Sequence, residues 1–381
     1  MTQKVIHVAM NGVTGRMGHH QHLVRSVLSI REQGGLRLDD GTILYPEPIL
    51  VGRNEERLRA MASRHGLDRW TTSLDEVLAD PEVDVYFDAQ VTSAREVSLL
   101  KAIEAGKHVY TEKPIAESLD AARRLAAAAQ AKGITNGVVQ DKLFLPGMIK
   151  LRRLIRDGFL GRILSVRLEF GYWVFDGDGT PAQRPSWNYR AEEGGGIMLD
   201  MFPHWQYLLE DLLGPVTAVY ARNVTHIPRR WDESGAPYDA TADDAAYAVL
   251  EFASGAFGSA NSSWAVRVNR RELLEPQVDG TGGSAVAGLR NCAIQHRVST
   301  PMPVWNPDLP DPIDYQSQWT DVPDNVPTDN GFKAQWELFL AAAAQGRPFA
   351  WDLAAGARGV QLASLALRSS AEGRRIEVPA P

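Results

Sequence analysis

The first 140 residues alternate between short apolar runs and longer segments whose apolar side chains recur at helical spacing. The apolar runs predict strands, at residues 5–10, 48–51, 83–87, 108–110 and 138–139. The segments between them predict helices, including 55–64, 94–105 and 119–132. Strands and helices that alternate at this length indicate a parallel sheet with helices on both faces. We therefore expect residues 1–140 to form a doubly wound α/β domain of the nucleotide-binding kind.

The pattern changes after about residue 140. A helix is predicted from Pro146 to Asp157, and period-2 alternation then predicts strands, at residues 163–172, 216–224, 245–252 and 256–265. The Ser254–Gly255 turn joins the last two strands and favours antiparallel pairing. We therefore expect residues 141–381 to form an α+β domain with a largely antiparallel sheet. Within it, residues 300–330 predict a long loop or surface arm. A helix is predicted from Gly331 onward, and its residues 336–344 are expected to pack on a sheet.

Composition and charge exclude several classes of protein. A length of 381 residues fits two domains. The 40 basic and 47 acidic side chains give a net charge of -7, so we expect no nucleic-acid partner. A single cysteine, Cys292, excludes an intramolecular disulfide, and we predict no metal site. Without a signal-peptide pattern or an apolar stretch near the ~20 residues of a membrane helix, we expect a cytoplasmic protein with no membrane partner.

Three glycines mark the point where the first predicted strand ends and a helix begins: Gly12, Gly15 and Gly18. Glycines at this point let the backbone approach a pyrophosphate, which free amides at the helix N-terminus bind. The turn, which includes Arg16 and Met17, therefore predicts a dinucleotide site. Its spacing is GxxGxxG rather than the commoner GxGxxG, and an ordinary tight turn is the alternative interpretation.

The end of the second predicted strand bears on which dinucleotide binds. An acidic residue that bonds the ribose 2'-hydroxyl is usual there, but this chain reads Gly52-Arg53-Asn54. A guanidinium suits a 2'-phosphate, because its fixed fork of donors matches the oxyanion. Arg53 and Asn54 therefore favour NADP over NAD. Alternatively, Arg53 is a solvated cation, and Glu55 or a backbone group binds the ribose.

The fourth predicted strand leads into Glu112-Lys113-Pro114. In a doubly wound sheet the carboxyl ends of the strands line the ligand crevice, so Lys113 would face the cofactor. A lysine there can stabilise negative charge that develops on a reacting oxygen. Alternatively, Lys113 is a surface residue.

A second candidate follows the glycine run 194–196. Asp200 and His204 are four residues apart, which places both on one face of a helix. A carboxylate beside a histidine orients the ring and raises its basicity, as proton transfer requires. Pro203 lies between them, and a proline is tolerated only near the start of a helix. The alternative to a catalytic pair is a core histidine whose hydrogen bond goes to a nearby acid. The glycines favour a ligand site, since they permit close approach of backbone to a ligand.

Together these motifs carry a family resemblance. The glycine turn, AGKHVYTEKPIA at 105–116 and GGGIMLDMFPHW at 194–205 resemble the glucose-fructose oxidoreductase, inositol dehydrogenase and MocA family (Gfo/Idh/MocA) over nearly the whole chain. The resemblance implies an N-terminal Rossmann domain and a second domain whose largely antiparallel, open-faced sheet often builds oligomers. It implies an NAD(P)-dependent oxidoreductase of sugars, cyclitols or related polyols, with Lys113 essential, His204 as general acid/base and Asp200 as its partner. We expect a homo-oligomer, a dimer or tetramer.

The chain departs from the family at three points. Where the family has Thr-Pro-Asn after the third strand, this chain has Gln90-Val91-Thr92, so the nicotinamide side of the cofactor is expected to be contacted differently, by Gln90 and Thr92. Glu112 and Lys113 are further expected cofactor contacts. Lys142 stands where an arginine is usual. Aromatic segments at 171–173 and 187–190 predict a glycoside or another bulky ring as substrate, since aromatic faces stack on sugar rings. The residues expected to contact the substrate are Lys142, Tyr172, Trp187, Tyr189 and Arg190; alternatively, the aromatics fill a core or an interface.

The expected reaction is hydride transfer between nicotinamide and a ring hydroxyl or carbonyl of a sugar, glycoside or cyclitol. His204 takes the hydroxyl proton, Asp200 supports the imidazolium, and Lys113 stabilises the alkoxide character. Two alternatives remain. One is a dihydrodipicolinate reductase, whose GxxGRMG turn the chain matches, and the other is a cofactor-binding sensor without turnover.

Overall fold

A computed structural model of the protein describes residues 2–172, 175, 177–266, 271–300, 308 and 314–380. The chain divides into two compact units. The first contains Met1–Phe144 and Asp329–Gln361, and the second contains Leu145–Thr328 and Leu362–Pro381.

The described residues contain strands from both predicted domains. The first unit holds β1 Gln3–Asn11, β2 Leu36–Arg37, β3 Ile43–Val51, β4 Trp70–Thr71, β5 Val83–Asp88, β6 His108–Thr111 and β7 Asn136–Val138. The second unit holds β8 Ile163–Phe170, β9 Val216–Val224, β10 Arg229–Trp231, β11 Pro237–Asp239, β12 Ala245–Phe252, β13 Phe257–Ser263, β14 Leu274–Gly280, β15 Gly283–Ala287, β16 Cys292–His296, β17 Thr320–Asp321 and β18 Ile376–Glu377.

The helices follow in chain order. Helix α1 consists of a π-helical segment, Met17–Leu28, and an α-helical turn, Ser29–Glu32. The others are α2 Glu55–His65, α3 Leu74–Ala79, α4 Thr92–Glu104, α5 Leu119–Lys132, α6 Pro146–Arg156, α7 Ile197–Leu213, α8 Gly331–Ala344 and α9 Leu353–Glu372. Short 3-10 helices occur at Asp141–Phe144, Ser186–Tyr189, Ala191–Glu193 and Tyr315–Gln318.

The sheet of the first unit has the order β2-β3-β1-β5-β6-β7, with β4 also paired to β3. All pairs are parallel except β2 with β3, which are antiparallel. Capping residues set where the helices begin and end. Ser118 accepts a hydrogen bond from the backbone amide of Ala121 at the start of α5, and Gly133 ends that helix in the left-handed conformation. The predicted α/β class is confirmed.

Helix α8 belongs to the first unit, although the sequence predicts one boundary near residue 140. Its Trp336 and Phe339 pack on aromatic side chains of the parallel sheet. The Trp336 ring lies 5.0 Å from that of Phe87, and Phe339 stacks on Tyr110 at 4.5 Å, measured between centroids. The chain therefore returns to its first sheet after the 184 residues Leu145–Thr328, and α8 supplies an apolar cover for this face of the sheet.

The second unit contains a nine-stranded sheet of order β17-β16-β15-β14-β8-β13-β12-β9-β18. Only β8 and β13 pair in parallel; the other neighbours are antiparallel. Helix α7 packs on β9, β12 and β13, and α6 packs on β15 and β16. The α+β class is therefore confirmed for the second unit.

The predicted loop at 300–330 and the helix after it are described in part by the structure. In the predicted loop 300–330, residues 301–307 and 309–313 lie outside the described residues, and the rest includes β17. The helix predicted from Gly331 onward is confirmed as α8, Gly331–Ala344. Across the described helices, none combines the length and apolarity needed to cross a membrane.

Candidate active site

The glycine turn brings the end of β1 very close to the end of β5. Gly12 has a φ of +84°, and a Cβ there would lie 2.6 Å from the carbonyl carbon of Ala89. A Cβ on Gly18 would lie 2.5 Å from the Gly12 carbonyl oxygen, so both glycines are required by the turn itself. At Gly15 a Cβ would have only that same oxygen within 4 Å, at 3.3 Å. The space in front of Gly15 is thus open, which fits the approach of a phosphate group.

The other predicted dinucleotide contacts, in the turn and beyond β3, differ in exposure to solvent. Arg16 is exposed at the N-terminus of α1, and Met17 is half-buried as the first residue of that helix. Arg53 is exposed beyond the end of β3. The side chain of Asn54 accepts a hydrogen bond from the Arg57 amide at 2.9 Å and thereby caps α2.

A buried ion pair organises the segment that replaces Thr-Pro-Asn. Arg95 Nε donates to Asp88 Oδ1 at 3.2 Å, and both side chains are buried. Arg95 also donates to the carbonyl oxygens of Gln90 and Pro114. The Gln90 side chain accepts from Ser98 Oγ at 2.8 Å, and Thr92 begins α4. One guanidinium therefore ties the end of β5 to the segment that carries Lys113.

Glu112 lies in a second buried network. Its Oε1 is 2.8 Å from Nε2 of His22, and its Oε2 accepts from the Lys113 amide at 3.0 Å. Burial acts to raise the pKa of Glu112, but the His22 hydrogen bond and the nearby charges of Lys113 and Arg95 lower it to about 2. The carboxylate is therefore ionised at neutral pH, and it holds the backbone at Lys113.

Lys113 itself is half-buried after the end of β6, where the sequence predicts it. The Lys113–Pro114 peptide bond is cis. Lys142, the substitute for the family's arginine, is half-buried in the 3-10 helix Asp141–Phe144 and pairs with Asp141 at 2.6 Å.

Helix α7 carries both Asp200 and His204, so the predicted helical register is correct. Pro203, which the sequence analysis expects to be tolerated only near a helix start, lies inside this helix. The helix tolerates this proline because most of its residues are buried against the sheet, and burial outweighs one lost backbone hydrogen bond.

The glycine run ahead of α7 serves the protein's own groups. A Cβ on Gly195 would lie 2.5 Å from the Trp187 carbonyl oxygen, and one on Gly196 would lie 2.6 Å from Asp243 Oδ1. The Asp243 carboxylate accepts a hydrogen bond from the Met198 amide at 2.9 Å and so satisfies a free amide at the start of α7. Packing within the unit, rather than approach to a ligand, therefore explains Gly195 and Gly196.

Each member of the Asp200–His204 pair has a partner that the sequence analysis missed. Arg184 donates to Asp200 Oδ2, and each side chain is 23% exposed. The Arg184 guanidinium also lies over the Trp264 ring, 4.2 Å from its centroid. The Nδ1 of His204 lies 2.7 Å from the hydroxyl of Tyr207. Helical spacing could have revealed Tyr207, three residues after His204, whereas no local signal marks Arg184.

The residues predicted to contact a substrate ring differ in accessibility. Trp187 is 43% exposed, and Tyr172 and Arg190 are half-buried. Tyr189 is buried under the guanidinium of Arg230, at 3.8 Å from its ring centroid, and its hydroxyl donates to a backbone carbonyl. Trp173, in the same aromatic segment as Tyr172, lies outside the described residues.

Two family models match the chain. One, an oxidoreductase family with an NAD-binding Rossmann fold, matches residues 6–139. The other, the GFO/IDH/MocA C-terminal domain, matches residues 148–286. The chain belongs to the Gfo/Idh/MocA oxidoreductase family. This membership confirms the sequence resemblance and decides against the dihydrodipicolinate reductase alternative, which depends on the glycine turn alone.

The family relatives include sugar-acting enzymes. The chain is 56% identical to a D-xylose dehydrogenase of Paenarthrobacter nicotinovorans over 379 residues, 98% of each protein. It is 28% identical to a levoglucosan dehydrogenase of Pseudarthrobacter phenanthrenivorans over 264 residues, 64% of this chain and 66% of the relative. A levoglucosan dehydrogenase structure in complex with NADH and levoglucosan shares the fold, with a TM-score of 0.82, 21% identity and coverage of 99% and 100% of the two chains.

These findings confirm the predicted class of activity. This Gfo/Idh/MocA protein is an NAD(P)-dependent oxidoreductase, and the matched residues 6–139 form its NAD-binding domain. In the described part of the chain, no three histidine, cysteine or acidic side chains are grouped so that they could hold a metal ion.

Proposed function

We propose that this protein oxidises a ring hydroxyl of a free sugar, with Lys113, Asp200 and His204 as its catalytic residues. The observation that carries the catalytic proposal is the arrangement on α7, where Asp200 and His204 share a helix and each side chain contacts a partner of its own. The sugar class is supported by 56% identity to the D-xylose dehydrogenase along 98% of the chain. D-xylose is therefore the first substrate to test.

The chemistry follows from the residue types. The bound nicotinamide supplies the hydride acceptor. His204 takes the proton of the substrate hydroxyl. The carbon that bears this hydroxyl loses its hydrogen as hydride, so the alcohol becomes a carbonyl. Lys113 donates a hydrogen bond to the reacting oxygen and stabilises its negative charge. The ionised Glu112, which accepts from the Lys113 amide, keeps the backbone of that lysine in place.

The proposed substrate contacts are the residues at 172, 187 and 190, together with Lys142. Trp187 is the most exposed of these side chains and offers an aromatic face to a sugar ring. Tyr189 is buried under Arg230 and is therefore not among the proposed contacts.

The central test is His204→Ala, assayed with D-xylose and a panel of sugars, glycosides and cyclitols. Because general acid–base catalysis typically contributes ~10² to 10⁴ in rate, kcat should fall at least 100-fold while cofactor binding persists. His226→Ala, which removes an exposed histidine of the same unit, is the control. Near-normal turnover by His204→Ala would refute the assignment. Cofactor binding by the wild type without turnover of any panel member would refute the proposed substrate class.

The cofactor preference is proposed to be NADP. The support is the exposed Arg53 beyond β3, beside an Asn54 side chain already engaged in capping α2. Gln90, Thr92 and Glu112 are proposed to lie on the nicotinamide side. Arg53→Asp should raise KM for NADP and leave KM for NAD nearly unchanged, because an aspartate repels the 2'-phosphate. Arg57→Asp is the control, since Arg57 is an exposed arginine four residues later, in the first turn of α2. An unchanged ratio of the two KM values would contradict the preference.

We also propose that the second unit forms a homo-oligomer through the outer face of its sheet. Four large side chains on this face are at least 40% exposed: Tyr220, Tyr247, Val249 and Phe257. Val249 pairs directly with Tyr220 across β12 and β9, so the apolar side chains adjoin. Val249→Glu should lower the molar mass measured by light scattering, whereas Val97→Glu, at an exposed position of α4 in the first unit, should not. A wild-type monomer would overturn the proposal.

A further inference from the structure

Tyr207 lies three residues after His204 on α7, so both side chains project from the same side of the helix. The Tyr207 hydroxyl is 2.7 Å from Nδ1 of His204, and the two rings meet edge to face at 5.6 Å. His204 is 5% exposed and Tyr207 6%. A short hydrogen bond between two buried side chains fixes the rotation of the imidazole ring.

We propose that Tyr207 is a positioning residue that orients His204 and assigns proton transfer to Nε2, the other ring nitrogen. This inference rests on the proposed role of His204 as the acid/base. The proton of the substrate hydroxyl then passes to Nε2, and no group other than His204 changes its proton count.

A tyrosine hydroxyl suits this task because it can both donate and accept. Before transfer, His204 carries its proton on Nδ1 and donates it to the Tyr207 oxygen, which leaves the lone pair of Nε2 to take the substrate proton. After transfer, the imidazolium still donates from Nδ1 to the same oxygen. That bond then has a charged donor and is stronger, so Tyr207 assists the step that charges the ring.

The helix around this pair is anchored independently of Tyr207. The indole Nε1 of Trp205 donates to Ser262 Oγ on β13 at 2.8 Å, and Asp243 accepts from the Met198 amide. Loss of one hydroxyl in Tyr207→Phe should therefore leave α7 in place while it removes the constraint on His204.

The chain offers a matched control on the outer face of the sheet. Tyr247 contacts Nε2 of His226 through its hydroxyl at 3.1 Å, in an exposed pair of the same chemistry. Tyr247→Phe removes an equivalent hydroxyl–imidazole contact away from α7. The phenylalanine keeps the ring that the proposed oligomer face presents, so kcat and KM should stay unchanged.

The experiment compares Tyr207→Phe, Tyr247→Phe and His204→Ala with the wild type, using the sugar that proves to be the best substrate. Because misplaced catalytic groups cost up to about 100-fold, we expect kcat of Tyr207→Phe to fall about 10- to 100-fold. KM for sugar and cofactor should change less than about threefold. The solvent deuterium isotope effect on kcat should rise, because proton transfer becomes slower; a purely structural defect would not raise it.

The outcomes separate this inference from the proposed function. If His204→Ala is inactive but Tyr207→Phe keeps its kcat and isotope effect, the positioning role is wrong and the acid/base role stands. If His204→Ala remains active, the proposed function itself fails. Should Tyr207→Phe not fold, Tyr207→Gln and Tyr207→Leu replace it. The glutamine, which can also donate and accept, should retain more kcat than the leucine, and equal values would overturn the inference.

Discussion

The indole Nε1 of Trp336 donates a hydrogen bond to Nδ1 of His22 over 3.0 Å, inside the first unit. An indole N–H can only donate, so Nδ1 must be the unprotonated nitrogen, and Nε2 carries the proton that faces Glu112. One tryptophan thus selects the histidine tautomer that supports an ionised glutamate beside Lys113.

Trp336→Phe should therefore destabilise the protein beyond the loss of ring volume. It leaves the buried Nδ1 of His22 without its donor, which costs about 1 to 3 kcal/mol. Trp351→Phe is the control for ring size, since Trp351 packs on Phe349, 5.3 Å away in the same aromatic cluster. Urea unfolding of both variants measures the difference. Equal losses of unfolding free energy would contradict the prediction.

Glu112 predicts a specific pH dependence of stability. Its pKa is about 2 in the folded protein and near 4.3 in an unfolded chain, so unfolding takes up a proton when the pH lies between these values. The stabilisation is present above about pH 4.3 and is lost as the pH falls toward 2. Between pH 5 and pH 3 the wild type should lose about 1.5 kcal/mol more unfolding free energy than Glu112→Gln. Parallel losses in urea titrations would show that Glu112 does not titrate this way.

Two of the three glycines of the turn, Gly15 and Gly18, should respond differently to alanine. In Gly18→Ala the new methyl meets the Gly12 carbonyl oxygen at 2.5 Å, so the turn must shift and the melting temperature should fall. In Gly15→Ala the contact is 3.3 Å, so the melting temperature should change little. Its methyl would instead occupy space open to a phosphate, and Kd for the cofactor should rise at least tenfold. Cofactor fluorescence titration tests this prediction, which fails if Gly15→Ala binds like the wild type.

Arg184→Gln should reduce activity far more than stability. The Arg184–Asp200 pair is partly exposed, so its removal should cost less than about 1 kcal/mol of unfolding free energy. Asp200 would nevertheless lose the cation that holds it, and kcat/KM should fall at least tenfold. Arg229→Gln, which breaks an exposed pair with Asp239, is the control and should leave kcat/KM unchanged. Wild-type activity in Arg184→Gln would rule out a role for this arginine.

The sequence by itself determined the features that depend on neighbouring residues. Period-2 and helical spacing predicted both sheets, and the glycine turn and the strand before Lys113 were placed correctly because backbone geometry is set within a few residues. The spacing of Asp200 and His204 likewise predicted their common helix.

Only the tertiary structure decided which groups meet across long separations in the chain. Trp336 donates to His22, Arg184 donates to Asp200, and Asp243 accepts from the first turn of α7. None of these contacts is marked by a pattern in the neighbouring sequence. Burial also placed Tyr189 in the interior, while Trp187, two residues earlier, remains exposed. These choices depend on packing between distant elements, because a buried polar group must find its partner wherever the fold brings one.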